Sequence, residues 1–391
     1  MSECKRVKFF ELFSEPTKNG IYKTKEFHGH GAKIINMGEI FAYAFIGKQN
    51  MNRVELNGKE RNYFLVNNGD LLFARRSLVE SGAGKCSIVY GLSEETTFES
   101  SIIRVRLNEC IANPLYYMYW MRSLKGRTAI NGIVSGVNVK GIRSSDLRNI
   151  EVDFPPLDIQ HRIATILSRY DSLIENYQKQ IKLLEESVQR LYKEWFIDLR
   201  FPGYENTKIV DGVPEGWEKK KVGDLISKIQ RTKQVAANNY QISGLYPVID
   251  QSRNYIAGYT NDIECLVKVT IPYIVFGDHT RVLKYVPFSF AKGADGTQLI
   301  MSNDLERMPQ SLFYNSLIEI DLSNYSYARH FKYLKEESIL VPSKDIAQRY
   351  DKVVSQHCQS IQKSRDQIRH LTEARDRLLP KLMSGEINVN R

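Results

Sequence analysis

Cysteine is scarce in this sequence. Five occur in 391 residues, at Cys4, Cys86, Cys110, Cys265 and Cys358, and no two lie closer than 24 positions. No zinc knuckle or CxxC redox pair can be assembled from such spacing, and buried, reduced thiols are expected. Long apolar runs are missing too: none approaches the ~20 residues needed to cross a bilayer. Met1-Ser2-Glu3-Cys4-Lys5-Arg6 leads into a mixed charged segment and not into the apolar core of a signal peptide. These absences point to a cytoplasmic chain with no membrane association.

Catalytic motifs are equally thin. Gly82-Ala83-Gly84-Lys85-Cys86 has a shadow of a phosphate-binding loop, but Val79 stands where its first glycine belongs and no Ser or Thr follows the lysine. Asn113-Pro114-Leu115-Tyr116 differs at one position from the Asn-Pro-Pro-Tyr loop of adenine methyltransferases, and no glycine-rich strand-to-helix loop precedes it. An Asn cap with Pro at the first helical position accounts for it. His28-Gly29-His30 lacks a third metal ligand. Val213-Pro214-Glu215-Gly216-Trp217 reads as a linker anchored by its tryptophan.

What is present is a repeat. The length predicts two or three domains, and 42% hydrophobic with 26% charged residues describes an ordered chain. After Pro155-Pro156, the sequence runs to Asp198 without Gly or Pro. Apolar residues recur every seventh position in two registers: Ile163, Tyr170, Tyr177, Leu184, Leu191 and Leu167, Ile174, Ile181, Val188, Trp195. The offsets of four and three are those of a coiled-coil seam. Pro342 to Arg349 repeats Pro155 to Arg162 at an offset of 187, and Tyr350, Val354, Ile361, Ile368, Leu371, Leu378 and Leu382 continue the second seam. His357, Ser364 and Arg375 interrupt it with polar groups, a device for fixing register. The chain therefore divides into a globular unit (1–154), a long helix (155–206), a second unit (207–341) and a second long helix (342–391). The fold class is α+β, and the two helices are expected to pair as an antiparallel coiled coil.

Both globular units carry short β-rich runs broken by Gly, Asn and Asp, together with basic and aromatic clusters. In the first, Arg75, Arg76 and Ser77 follow a turn, Lys85 is nearby, and Asn138, Lys140 and Arg143 lie in a Gly/Ser-rich loop just before the helix. In the second, His279 and Arg281 form one cluster and Tyr327, Arg329 and His330 another. At the offset of 187, residues 325–330 fall on 138–143. Such side chains can fork onto base edges or hold phosphates. The formal charge is +10, but it is unevenly spread. Residues 1–156 hold 22 basic and 16 acidic groups, residues 201–341 hold 16 of each, and 342–391 hold 10 and 6. A nucleic-acid site in the second unit would be a local patch.

Two units alternating with two long helices resemble the specificity subunit of type I restriction–modification systems across essentially the whole chain. The residues that carry the likeness are Phe154 to Ala164, Val213 to Trp217, Val275 to Arg281 with Gly293 to Thr297, and Leu378 to Ile387. The resemblance implies that the units are target recognition domains, each reading half of a split, asymmetric site on double-stranded DNA. The helices then set the spacer and dock two modification subunits, which supply S-adenosylmethionine and the methylation chemistry, and restriction subunits join that core. No catalytic residue, metal or cofactor is expected in this chain. A pseudo-two-fold arrangement would set the reading loops about one DNA turn apart, roughly 34–36 Å. The first unit has no equivalent of the Val213–Trp217 lead-in, so its opening strand is expected to lean on the C-terminal helix. Two other readings stay open at this point: a stand-alone methyltransferase or nuclease with degenerate motifs, and a coiled-coil scaffold whose heads bind proteins.

Overall fold

The computed structural model describes residues 5–230, 232–325 and 329–389. Contacts divide the chain into two units whose borders fall inside the long helices. The first runs to Ile174 and resumes at Arg369, and the second is Glu175–Ile368. Each head thus keeps its own stretch of both helices. Among the described residues no helix is long and apolar enough to cross a membrane.

Seven elements position the first unit's loops: β1 (Arg6–Lys8), β2 (Leu71–Ala74), β3 (Arg76–Ser77), α1 (Pro114–Arg122), β4 (Lys140–Gly141), β5 (Glu151–Asp153) and α2 (Leu157–Tyr192). β2 is the middle of a five-stranded sheet, ordered Lys18–Asn19, Ile102–Val105, β2, Cys86–Val89, Phe45–Ile46. Its four residues are all buried, as a continuous apolar run between two covered faces requires. Asn113 caps α1 by accepting from the Leu115 and Tyr116 N–H groups, with Pro114 at the first helical position. β1 pairs antiparallel with β5, Val7 opposite Val152. The opening strand is therefore held by the strand ahead of α2, and only its Val7 side chain joins a core cluster with Leu382 and Met383 of the C-terminal helix.

The second unit is organised by β6 (Glu218–Lys221), β7 (Tyr273–Gly277), α3 (Gln310–Ile318), β8 (Ser338–Val341) and α4 (Lys344–Ser384). β6 pairs antiparallel with β8 as β1 does with β5, and β8 begins 187 residues after β5. β7 is the middle of a three-stranded sheet between Leu283–Val286 and Thr297–Ile300. Trp217 is buried with its ring 5.6 Å from Phe196 and 4.7 Å from Phe201, which makes it the anchor of the linker.

The seam positions form the inward stripe of both helices. Leu167, Val188, Val354 and Ile361 are buried, while Ile174, Ile181, Leu184, Leu191, Ile368, Leu371 and Leu378 are half-buried. Within the first unit, Arg162 donates to the Val389 carbonyl and Arg375 pairs with Asp171 at 2.5 Å; within the second, Glu185 meets Arg365 and Tyr192 meets Tyr350. Both sets of partners run antiparallel. Arg375 breaks the apolar seam as an ion pair, because Asp171 stands opposite it. One seam position departs from the heptad. Lys193–Ile197 is a π-helical turn, closed by the Asp198 N–H on the Lys193 carbonyl. Its extra residue shifts the inward face, so Phe196 is buried and Trp195 only half-buried.

Glutamine side chains fasten each long helix to its own head. Gln160 is fully buried, accepts from the Asn113 N–H and donates to the Ile111 and Pro155 carbonyls. Gln348 donates to the Leu305 and Glu306 carbonyls ahead of α3.

Candidate nucleic-acid interface

Residues 75–77 and 138–143 lie more than 60 positions apart, and the fold joins them. β3 pairs antiparallel with β4, setting Arg76 opposite Gly141 and Ser77 opposite Lys140. The Ile142 N–H donates to the Arg75 carbonyl, and Ser135 exchanges backbone hydrogen bonds with Gly141. The result is a short ribbon whose outer strand folds back through residues 135–141. Glycine is required twice in it. Gly136 has φ +105°, and a Cβ there would lie 2.2 Å from the Val139 carbonyl oxygen; a Cβ on Gly141 would lie 2.8 Å from that of Arg75.

Arg76, Asn138 and Arg143 are exposed on this ribbon, and Arg75 and Lys140 are half-exposed. Two residues expected at the surface are turned inward. Ser77 is buried, its hydroxyl accepting from the Val79 N–H. Lys85 donates its ammonium to the Phe41 carbonyl at 2.6 Å. Burial, and then the charges of Arg122 and Arg127, push the Lys85 pKa down. In the glycine-rich loop before it, Gly84 packs against Ile130 and Ile142, and Gly82 against Ser77 and Phe41.

A second junction is built in the other unit by one carboxylate. Asp278 follows β7 and is buried; its side chain accepts from the Phe331 N–H at 2.8 Å, and its carbonyl accepts from the His330 N–H. It thereby caps the helix His330–Glu336, for which Arg329 offers no side-chain cap. The Asp278 N–H donates to the Gly296 carbonyl. Gln251 completes the cluster: its side chain accepts from the His279 N–H and donates to the Asp295 carbonyl, and its own carbonyl accepts from the Thr280 hydroxyl. The segments 275–281, 293–297 and 329–331 therefore converge.

His279 and Arg329 are exposed at this junction. Arg281 is exposed as well, at φ 60°, a left-handed conformation that strains a residue with a side chain, and its guanidinium donates to the Leu322 carbonyl at 3.0 Å. His330 is a correction to the surface reading: it is buried, with Nδ1 against the Asp278 carbonyl and Nε2 against that of Tyr325. Tyr327 lies outside the described residues. Sequence reasoning did not single out Asp278 or Gln251: Asp278 lies inside the 275–281 segment but is acidic, and Gln251 belongs to no basic or aromatic cluster. His30 faces Glu55 alone, and no group of three metal-ligating side chains exists among the described residues.

Comparison with known proteins places these loops in context. A family model for the type I restriction modification DNA specificity domain matches residues 2–186. The chain is similar to the MjaIX specificity subunit of Methanocaldococcus jannaschii, 25% identical over 94% of this chain and 89% of the relative. It is also similar to the putative MjaX specificity subunit of that organism, 26% identical over 82% and 79%. Among solved structures, the type I restriction–modification S subunit of M. genitalium shares the fold, with a TM-score of 0.61 and 16% identity over 98% of this chain and 97% of that one.

Proposed function

The chain belongs to the family of type I restriction–modification DNA specificity subunits, and from that premise we propose that each of its units reads one half of a bipartite, asymmetric DNA site. Members of this family are the DNA-recognition subunits of their complexes, and catalysis lies in partner subunits. The observation that carries the two-headed reading is the matched pair of loop junctions. In each unit a segment leaving a central strand (residues 75–77 after β2, 278–281 after β7) is fastened to the segment preceding the last strand before a long helix. Exposed Arg76 and Arg143 in one junction, and His279, Arg281 and Arg329 in the other, offer donors for phosphates and base edges.

DNA and the other subunits of the system are the partners. In finer detail, two modification subunits dock on the long helices and hold S-adenosylmethionine, and restriction subunits join that assembly. The internal repeat supports two docking places, since each long helix carries a heptad stripe on its inward face, leaves its outer face open, and is tied to its own head by a glutamine. The helices set the number of unread base pairs between the half-sites.

The test is reconstitution of the full chain with its modification subunits, followed by mapping of methylated adenines in exposed DNA. Two short sequences at a fixed separation are expected, and substitutions in the first unit's ribbon should alter one of them only. Methylation by the chain alone would favour the enzyme reading. Assembly without any sequence preference would favour the scaffold.

A further inference from the structure

Hairpin tips are ordinarily built from Gly, Asn, Asp and Ser, whose backbones suit the turn and whose side chains suit water. The tip of the first unit's ribbon departs from that rule. Val137 is 91% exposed, and Val139 beside it is exposed too. On the other strand, Leu78 is 84% exposed and Val79 follows it. Ser77 and Lys140 form the last rung of the β3–β4 ladder, so Leu78 and Val139 leave that rung on the same side. The aliphatic groups are thus gathered at one end of the ribbon. Arg76 and Arg143 are exposed further along it, and neither has an ion-pair partner among the described residues.

An apolar end with cations behind it matches one face of duplex DNA. The major groove is about 12 Å wide and admits a two-stranded ribbon, and the thymine C5-methyl is the apolar group displayed on its base edges. Phosphates line both rims of that groove, where Arg76 and Arg143 could each hold one. Apolar wedges that force a base step apart act instead from the minor groove, which at about 6 Å is too narrow for a two-stranded ribbon. We infer that the ribbon enters the major groove of the first half-site and that Val137 reads the C5-methyl of a thymine there. This rests on the proposal that the first unit reads DNA. It adds a specificity-determining residue outside the basic clusters.

The experiment uses the full chain assembled with its modification subunits, and an oligonucleotide carrying the mapped site. Each thymine of the first half-site, on either strand, is replaced in turn by deoxyuridine, which keeps the hydrogen-bonding edge and lacks only the methyl. A half-site that holds a target adenine holds a thymine opposite it, so a position to test exists. With the native chain, one replacement should weaken binding by roughly three- to fivefold, the effect of one buried methyl. With Val137→Ala that replacement should have no further effect, and replacements in the second half-site should behave as in the native complex. Val137 packs against nothing that its truncation would disturb, so the variant's melting temperature should match the native one. A complex that keeps its site and feels no replacement in the first half-site overturns the inference and leaves DNA reading intact. The same holds if Val137→Ala responds to deoxyuridine as the native chain does. A complex without site preference overturns both.

Discussion

Removal of Arg76 and Arg143 together isolates the electrostatic part of recognition from the fold. Both side chains are exposed and neither forms an ion pair among the described residues, so replacing both by Ala should change stability by no more than about 0.5 kcal/mol each. If each holds one phosphate, each contributes about 0.9 to the slope of log affinity against log salt concentration, and the double variant loses about 1.8. Between roughly 50 and 200 mM salt, a fourfold step, the native complex should therefore lose about 12-fold more affinity than the variant. Fluorescence anisotropy with labelled site DNA, read at five or six salt concentrations on the assembled complex, gives the slope directly. Arg76→Lys with Arg143→Lys keeps the charge and should keep the slope. An Ala variant with native melting temperature and unchanged slope would refute the assignment of these residues to phosphates.

Three further outcomes follow from the packing. Asp278→Ala removes the acceptor for the Phe331 N–H. It should destabilise the second unit by about 1–2 kcal/mol and weaken methylation of the second half-site while sparing the first, read by denaturant melts and adenine mapping. The Tyr350 hydroxyl is buried without a hydrogen-bond partner among the described residues. Tyr350→Phe should thus raise the second unit's stability by about 1 kcal/mol, whereas Tyr350→Ala should lower it by about 3–5 kcal/mol; the fluorescence of Trp195, 5.9 Å away, reports both. Glu15 is the third case. Partial burial raises its pKa, but the hydrogen bond from Lys18 and the charges of Arg104 and Arg106 outweigh that and hold the carboxyl below its usual 4.5. A depressed folded pKa means stability present above pH 4.5 and lost as pH falls through the lower folded value. Glu15→Gln, which leaves the buried Arg104 guanidinium without this partner, should cost about 2 kcal/mol at neutral pH. The gap to the native chain should narrow as pH falls below 4.5 and close once pH has passed the lower folded value; a gap that does not narrow below 4.5 would refute the linkage.

The parts of the fold that were readable in the sequence are those governed by short periods. Seven-residue spacing marked the seam from Ile163 to Leu191 and from Tyr350 to Leu382, because a helix returns the same face at that interval. The offset of 187 placed β5 and β8 in equivalent positions, and Asn113-Pro114 marked the start of α1. What was not readable depends on partners far along the chain. A two-residue ladder such as β3 on β4 leaves no pattern of its own. Only the folded chain shows that Arg76 lies beside Lys140, or that Gln160 ties Asn113 to α2. The misplacements share a cause. Ser77, Lys85 and His330 were assigned to the surface by residue type, yet each is held by a backbone partner: the Val79 N–H, the Phe41 carbonyl, and the Asp278 and Tyr325 carbonyls. The π-helical turn at Lys193–Ile197 broke the heptad phase locally, and nothing in a seven-residue count signals an inserted residue.

The neutral second unit presents a problem that net charge cannot resolve, and the ion pairs do. Lys221 meets Glu336, Lys233 meets Asp262 and Glu264, and Arg307 meets Glu218. These pairs cancel charge where they stand. Neither His279, Arg281 nor Arg329 has an acidic partner within ion-pair distance among the described residues; the Arg281 guanidinium donates to the Leu322 carbonyl, and nearby Asp321 is held below its usual range by hydrogen bonds from Ser323 and then by the Arg281 charge. The buried Asp278 carboxylate is turned to the Phe331 N–H, while Asp295 is exposed in the same cluster. The second junction is therefore closer to balance than the ribbon of the first unit, where Arg76, Lys140 and Arg143 lie together. Two heads built on equivalent strand pairs, each with a glutamine tie of its own, can differ this way because none of those ties uses a side chain of the exposed loops. Loop chemistry is free to diverge while the scaffold holds, and most of the salt dependence of the assembled complex then belongs to the first head.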